Sequence, residues 1–256
     1  MNILLFGGTS DSHALARRLA DLPVDMTVSV ATGHGEETLA DLCGRFTIHA
    51  ARMGEEEILG FIRRNNHDLI IDATHPYATE VSKNACSAAS RAAVPYFRLA
   101  RPAAAVADGC DCRHVSSASE AANSCNSLGG NVLIATGSKE LAAFTAVSGF
   151  TERVFVRVLP LAESIQSCTG LGVRSGNIIA MQGPFSRELN VAIMRQFAIR
   201  ILVTKDGGAA GGTEEKLTAA REVGATVVMI DRPAEQNGHD IEAIIRMIRD
   251  KLEAGL

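Results

Sequence analysis

The sequence lacks several features that mark whole classes of protein. It has no tryptophan, and aromatic residues make up 4% of its 256 residues. It contains no run of about 18 apolar residues, so we expect no transmembrane helix. The net charge of −4 argues against a nucleic-acid-binding surface. No basic segment or cleavage site precedes the first strand pattern, and we therefore expect a cytoplasmic protein without membrane or nucleic-acid partners.

Cysteines are present, but their spacing does not indicate a metal site. The pair Cys110-Asp111-Cys112 is too close for a C-x-x-C zinc knuckle. The scattered spacing favours free thiols over a metal centre for all six: Cys43, Cys86, Cys110, Cys112, Cys125 and Cys168.

The chain opens with a strand, a glycine turn and a helix. Residues 2–6 predict a buried strand, and residues 12–20 carry apolar side chains at helical spacing. The turn between them is similar to a dinucleotide-binding turn, although it lacks the full G-x-G-x-x-G pattern. Its candidate cofactor-binding residues are Gly7, Gly8, Thr9 and Ser10.

A second glycine turn follows the apolar run 201–203 and precedes a helical pattern from residue 213. Glycines let backbone N–H groups face an anion, and a helix N-terminus adds partial positive charge. The alternative is a solvent-exposed connection that tolerates glycine. The candidate ligand-binding residues are Lys205, Asp206, Gly207 and Gly208.

Strand and helix patterns alternate along the whole chain, which predicts parallel sheets covered by helices on both faces. The pattern includes a short helix near residues 36–42 and breaks after Arg101-Pro102. We therefore predict two α/β domains, 1–101 and 102–256. The last helix has an apolar stripe, which indicates core packing.

Polar residues cluster where predicted strands end. The strand at 69–71 is followed by Asp72, Thr74, His75 and Tyr77. Helix capping by Thr74 with Pro76 in the first turn is the plain alternative, but it leaves the other three residues unexplained. Two further strands end in Thr136-Gly137-Ser138-Lys139 and in Gln182-Gly183-Pro184-Phe185. Such loops are where α/β sheets bind ligands.

The ordered set of these motifs resembles the precorrin-6A reductase family of cobalamin biosynthesis. The resemblance covers nearly the whole chain, up to Asp231-Arg232-Pro233, and includes Arg98, Arg101-Pro102 and Lys216. One departure is visible: where an aromatic residue is expected after Arg101-Pro102, this chain has three alanines. That puts the local contact of the linker in doubt.

The resemblance implies two Rossmann-like domains with the active site in the cleft between them. It implies hydride transfer from a nicotinamide cofactor to a ring-contracted, carboxylated tetrapyrrole, with neither metal nor flavin. Transient contacts with neighbouring pathway enzymes are expected.

His75 and Tyr77 are the candidate proton donors, with solvent as the alternative. Asp72, Thr74 and Thr32 join the cofactor-binding candidates. The substrate-binding candidates are Arg98, Arg101, Ser138, Lys139, Gln182, Gly183, Lys205, Asp206, Gly207 and Gly208, with Arg157 and Arg187 as further carboxylate partners.

NADPH is the expected cofactor, because the strand at 27–30 ends without the carboxylate that holds the ribose hydroxyl of NAD. Reduction of a cobalt-containing substrate by NADH is an alternative function. A methyltransferase-type or non-catalytic binding protein is another, because a fold does not determine a function. A short-chain dehydrogenase is disfavoured, since no lysine stands four residues after Tyr77.

Overall fold

A computed structural model describes residues 1–31, 44–100, 111–208, 211–233 and 238–254. The predicted helix near residues 36–42, Thr32 and Arg101 lie outside these ranges. The chain divides into two compact units. Unit 1 comprises Met1–Arg101 and Pro233–Leu256, and unit 2 comprises Pro102–Arg232.

Unit 1 is built on a parallel sheet with the strand order β3-β2-β1-β4-β5. The helices described within residues 1–100 are α1 (Ser10–Leu19), α2 (Glu55–Arg64) and α3 (Thr79–Ala92). The strands are β1 (Asn2–Phe6), β2 (Asp25–Val30), β3 (Thr47–Ala50), β4 (Leu69–Asp72) and β5 (Tyr96–Arg98).

The alternation of side chains along β1 explains why helices cover both faces of this sheet. Ile3 and Leu5 are buried in one apolar cluster with α1. Leu4 and Phe6 point to the other face and are buried with α2 and α3. Because both faces are apolar, the strand is stable only between two helical layers.

Unit 2 repeats the architecture with the strand order β6-β11-β10-β7-β8-β9, again parallel throughout. The strands are β6 (Cys112–Val115), β7 (Asn131–Ile134), β8 (Val154–Val158), β9 (Ile178–Ala180), β10 (Ile199–Lys205) and β11 (Thr226–Ile230). The helices are α4 (Ala118–Asn126), α5 (Phe150–Arg153), α6 (Ala162–Gly170), α7 (Arg187–Gln196) and α8 (Thr213–Val223). A 3₁₀ helix, Leu141–Ala146, lies between β7 and α5.

The C-terminal helix α9 (Ile241–Glu253) corrects the predicted domain assignment. Its buried face, Ile244, Ile245 and Ile248, belongs to the apolar cluster of β1, β2 and α1 in unit 1. The expectation that residues 102–256 form one domain is therefore wrong for the segment from Pro233. Among the described helices, none is both long and apolar enough to cross a membrane.

The fold class predicted from the alternating pattern is confirmed: two parallel-sheet α/β domains. In each sheet the chain order reverses once, between β1 and β4 in unit 1 and between β7 and β10 in unit 2. Loops at the carboxyl ends of the strands diverge at such a reversal, and the crevice they leave is the usual ligand site of open α/β sheets.

Candidate active site

The turn after β1 leaves its backbone accessible at the reversal point of unit 1. Gly7 N–H donates to the Ser29 carbonyl at 2.8 Å, which fixes the start of the turn. Gly8 is exposed and has a φ of +98°, and a Cβ at this position would meet no described atom within 4 Å. The turn therefore offers open space beside a backbone conformation that glycine favours.

Thr9 begins helix α1 and ties it to the neighbouring loop. Thr9 and Ser12 form a reciprocal capping box, with both backbone-to-hydroxyl distances at 3.0 Å. The Thr9 hydroxyl also donates to the Ala73 carbonyl at 3.0 Å, just beyond β4. The first turn of α1 is consequently held against the loop that carries Asp72 and Thr74.

Asp72, at the end of β4, is fully buried at 0% exposure. One carboxylate oxygen accepts from the Thr74 backbone at 3.0 Å and from the Thr74 hydroxyl at 2.7 Å. The same oxygen forms an ion pair with Arg98, which also donates to the Thr74 hydroxyl at 2.9 Å and to the Thr74 carbonyl at 3.1 Å. Asp72 and Arg98 thus position the loop from within.

Tyr96 completes this network, and the sequence reasoning missed it. Its hydroxyl donates to the other Asp72 oxygen at 2.7 Å. Burial, reinforced by the Asp72 carboxylate, raises the pKa of the Tyr96 phenol far above its ordinary value. The sequence pattern that could have identified Tyr96 is strand alternation, which places Tyr96 and Arg98 on the same face of β5.

His75 and Tyr77, the predicted proton donors, lie together in the loop between β4 and α3. Their rings stack with centroids 5.5 Å apart, and both side chains are partly buried. The Tyr77 backbone N–H approaches His75 Nδ1 at 3.4 Å. The two side chains follow directly on the loop held by Asp72, at the reversal point.

At the reversal point of unit 2, the loop after β10 is stabilised by its own polar groups. Asp206 accepts from Gly208 N–H at 3.0 Å and pairs with Arg232 at 2.9 Å. Lys205 forms an ion pair with Glu140, in the segment after β7 that also contains Ser138 and Lys139. Gly207 N–H donates to Thr213 at 3.1 Å.

Two buried cations lie in this unit. Arg157, on β8, is 6% exposed and donates to the Asn190 side-chain oxygen at 2.8 Å. Its guanidinium stacks on the ring of Phe185, 4.3 Å from the centroid. Lys216, on α8, is 8% exposed. Among the described residues, no carboxylate lies within ion-pair distance of either side chain.

Burial dominates the electrostatics of these two cations. It lowers the pKa of the Arg157 guanidinium to about 10, so this side chain stays charged at neutral pH. Burial and then the charge of Arg157 lower the pKa of Lys216 to about 8, although Glu215 and Asp206 act in the opposite direction. In the same unit, a Glu215 oxygen and the Thr136 hydroxyl are buried and have no hydrogen-bond partner among the residues that the structure describes.

The remaining predicted site residues are less organised. Gln182 and Gly183 are exposed after β9. Arg187 pairs with Glu188 at 3.2 Å and with Glu222 at 3.1 Å on the surface of unit 2. These surface pairs give Arg187 no distinguishing feature of a binding residue.

Two doubly wound parallel sheets, with glycine turns at their reversal points, define a Rossmann-like α/β protein. The sequence matches the family described as Precorrin-6x reductase CbiJ/CobK over residues 2–249. The chain belongs to this family of oxidoreductases acting on a CH–CH group.

Relatives and a solved structure agree with this membership. The chain is 35% identical to a cobalt-precorrin-6A reductase of Priestia megaterium, covering 92% of each protein. It is 30% identical to a precorrin-6A reductase of Rhodococcus erythropolis, covering 90% of this chain and 89% of the relative. The structure described as CobK precorrin-6A reductase superposes with a TM-score of 0.79 at 25% identity, over 98% of this chain and 96% of that one.

Proposed function

We propose that this chain reduces a precorrin-6A-type tetrapyrrole, using NADPH, in cobalamin biosynthesis. Family membership supports the reaction type, and the open glycine turn at the reversal point of unit 1 is the structural observation that carries the assignment. A bound nicotinamide supplies the hydride. The residues of this chain bind the two reactants, orient them and supply or admit a proton.

The turn after β1 fits a dinucleotide phosphate. The space at Gly8 is open, and the N-terminus of α1 contributes partial positive charge. Gly7, Gly8, Thr9 and Ser10 are assigned to cofactor binding. Asp72 has no exposed surface, so we assign it to positioning of Thr74 and the loop rather than to direct contact.

The preference for NADPH rests on the end of β2. This strand ends at Val30, followed by Ala31, without the acidic residue that holds the ribose 2′-hydroxyl in NAD-specific sites. No carboxylate at this strand end would repel the 2′-phosphate. Comparable dissociation constants for NADH and NADPH in isothermal titration calorimetry would contradict the preference.

Arg157 and Lys216 are the best-supported partners for the acidic groups of the substrate. Among the described residues neither cation has a carboxylate partner; a buried cation without one raises the free energy of the unliganded protein, and an incoming carboxylate would relieve that cost. Lys205 is a weaker candidate, because binding there competes with its ion pair to Glu140. Arg98 is already committed to Asp72 and Thr74.

His75 and Tyr77 are retained as candidate proton donors. Tyr96 is unsuitable, because it is partly buried and its proton is held by Asp72. Tyr77→Phe is expected to lower kcat with little change in the KM for NADPH if the phenol donates the proton. Unchanged kcat in both Tyr77→Phe and His75→Gln would assign the proton to water.

The proposed function is tested by following NADPH oxidation in an anaerobic assay with the precorrin-6A macrocycle. We expect oxidation that depends on the macrocycle and saturates with it, and that yields a dihydro product by mass spectrometry. Tight NADPH binding without macrocycle-dependent oxidation would contradict the proposal.

A cobalt-containing macrocycle is the second candidate substrate. The relative at 35% identity from Priestia megaterium, and another at 35% from Salmonella typhimurium, are named cobalt-precorrin-6A reductases. The relative named precorrin-6A reductase is 30% identical. A higher kcat/KM for the cobalt form than for the metal-free form would favour this candidate.

A further inference from the structure

Unit 2 contains a second constellation of reactive side chains that the proposed reduction does not use. The Cys112 sulfur lies 3.7 Å from His114 Nε2. His114 Nδ1 lies 2.6 Å from a carboxylate oxygen of Asp231. A thiol, an imidazole and a carboxylate thus stand in series, in the order that activates a nucleophilic cysteine.

The sheet itself produces this arrangement. Cys112 and His114 are two residues apart on β6, so their side chains share one face. β6 pairs with β11 in parallel register, with His114 opposite Met229. Asp231 directly follows β11 and donates its N–H to the Val115 carbonyl at 2.8 Å, which holds its carboxylate beside the imidazole.

The hydrogen-bond partners define the protonation pattern of this chain of groups. The carboxylate of Asp231 fixes a proton on Nδ1, which leaves Nε2 to accept the proton of the Cys112 thiol. Transfer gives a thiolate beside an imidazolium, and Asp231 stabilises the imidazolium. The order of the groups therefore favours a reactive thiolate at Cys112.

The other charged groups on adjoining elements have different partners. Asp111 accepts from the Thr226 hydroxyl at 2.8 Å, and Arg113 donates to Ser127 at 3.2 Å. Glu120 accepts from Ser116 N–H at 2.8 Å, and Arg232 pairs with Asp206. Among the described charged residues, Asp231 is the one in contact with the imidazole.

The group is accessible to a small reagent. The side chains of His114 and Asp231 are 48% and 50% exposed, and Cys112 is partly exposed. Within the described ranges, no set of three or more His, Cys, Asp or Glu side chains is arranged to hold a metal ion. A thiol beside an imidazole that contacts a carboxylate suits nucleophilic chemistry.

We propose that Cys112 is a site of reversible thiol–disulfide exchange with low-molecular-weight disulfides. The Cys112 thiolate attacks one sulfur of the disulfide, a new S–S bond forms, and the old S–S bond breaks. The departing thiolate takes the proton from the His114 imidazolium. One thiol is consumed and one released, so no further oxidant is required.

The first test measures alkylation of the whole protein by iodoacetamide, with each cysteine peptide followed over time by mass spectrometry. Cys86, an exposed thiol on α3, is the internal control. At pH 7 we expect Cys112 to react on the order of 10-fold faster than Cys86, because thiolate reacts and thiol does not. The ratio of the Cys112 rate to the Cys86 rate should fall as the pH is raised.

The variants His114→Gln and Asp231→Asn separate activation from mere exposure. Both change exposed side chains, so the melting temperature should stay close to that of the parent protein. His114→Gln should reduce the Cys112 rate to that of Cys86, and Asp231→Asn should give an intermediate rate. With oxidised glutathione as the probe, the mixed disulfide should form at Cys112 first. Equal rates at the two cysteines, or a Cys112 rate unaffected by His114→Gln, would overturn the proposal.

Discussion

The reversal points of the two sheets differ in how they treat buried charge. In unit 1 the buried carboxylate of Asp72 is matched by Arg98, Tyr96 and Thr74, and the Thr9 hydroxyl binds the two loops together. In unit 2 the buried Arg157 and Lys216 have, among the described residues, no carboxylate partner. One region satisfies its charges internally, whereas the other retains positive charge.

This difference in buried charge suits the two units to different ligands. A crevice whose side chains are already satisfied binds a ligand through backbone N–H groups and a helix N-terminus, as a dinucleotide phosphate requires. A crevice with buried cations is stabilised by an anion that arrives with the ligand. We therefore propose that unit 1 binds the cofactor and that unit 2 binds the carboxylates of the macrocycle. The predicted cleft shared by the domains stays a prediction.

Asp72→Asn should produce the largest effect, because it leaves the Arg98 charge buried without its partner. Unfolding in urea should show a loss of about 3–5 kcal/mol. The control is Glu242→Gln, which removes the exposed ion pair with Arg18 and should leave stability nearly unchanged. Equal losses in the two variants would remove the contrast between a satisfied interior network and a surface pair.

Gly8→Val should weaken NADPH binding by about 100-fold, since the branched side chain fills the space assigned to the phosphates. Gly172→Val is a matched control, because Gly172 also has a positive φ, +86°, with open space around its Cα. Both variants should lose similar stability from backbone strain. Normal NADPH affinity in Gly8→Val would show that the first turn is not the cofactor site.

Lys216→Met should raise the KM for the macrocycle by about 10-fold, the loss expected for one charge-assisted hydrogen bond. In the parent protein the same KM should rise as the pH passes through about 8, because Lys216 loses its charge there. Arg195→Met, at an exposed residue paired with Glu222, is the control. A KM independent of both pH and Lys216 would refute the anion site.

The burial of Lys216 also predicts the direction in which stability changes with pH. Its pKa is about 8 in the folded protein and 10.5 ordinarily, so the unfolded chain holds more protons between these values. The unfolding free energy of the parent protein, relative to Lys216→Met, should therefore rise from pH 8 to 10.5. A flat difference across this window in urea titrations would show that Lys216 is not desolvated.

His67 should give the smallest effect. It is 3% exposed, both ring nitrogens lack hydrogen-bond partners within the described part of the chain, and burial lowers its pKa below the ordinary 6.5. Above pH 6.5 His67 is neutral in both states and the protein has its full stability. As the pH falls from 6.5 towards the lowered pKa of the folded protein, stability is lost, because the unfolded chain binds a proton that the folded protein does not. His67→Leu should show a smaller decline in stability from pH 7 to 5 than the parent protein.

The sequence predicts the location of the candidate site better than the roles of its residues. The glycine turns and the polar end of β4 were identifiable because an apolar run changes abruptly into residues with special backbone or hydrogen-bonding properties. The sequence makes Asp72 a candidate cofactor contact; the structure shows that it is fully buried and accepts a hydrogen bond from Thr74, which supports a positioning role instead. A linear pattern shows which residues follow a strand, and not which of them are exposed.

Other features could not be predicted for physical reasons. An apolar stripe shows that α9 packs on a core, but not which of two similar sheets it covers. Tyr96 occupies a three-residue strand, and its role depends on Asp72, 24 positions away. The separation of His114 from Asp231 is longer still, at 117 positions, and only the pairing of β6 with β11 brings them together.

The most direct test of the central claim uses NADPH in which both hydrogens at C4 of the nicotinamide are replaced by deuterium, so that transfer from either face is detected. We predict that one deuterium appears on a carbon of the reduced macrocycle, and that Gly8→Val prevents this transfer while the protein remains folded. Reduction of the macrocycle with no deuterium in the product, or undiminished transfer by Gly8→Val, would contradict the account.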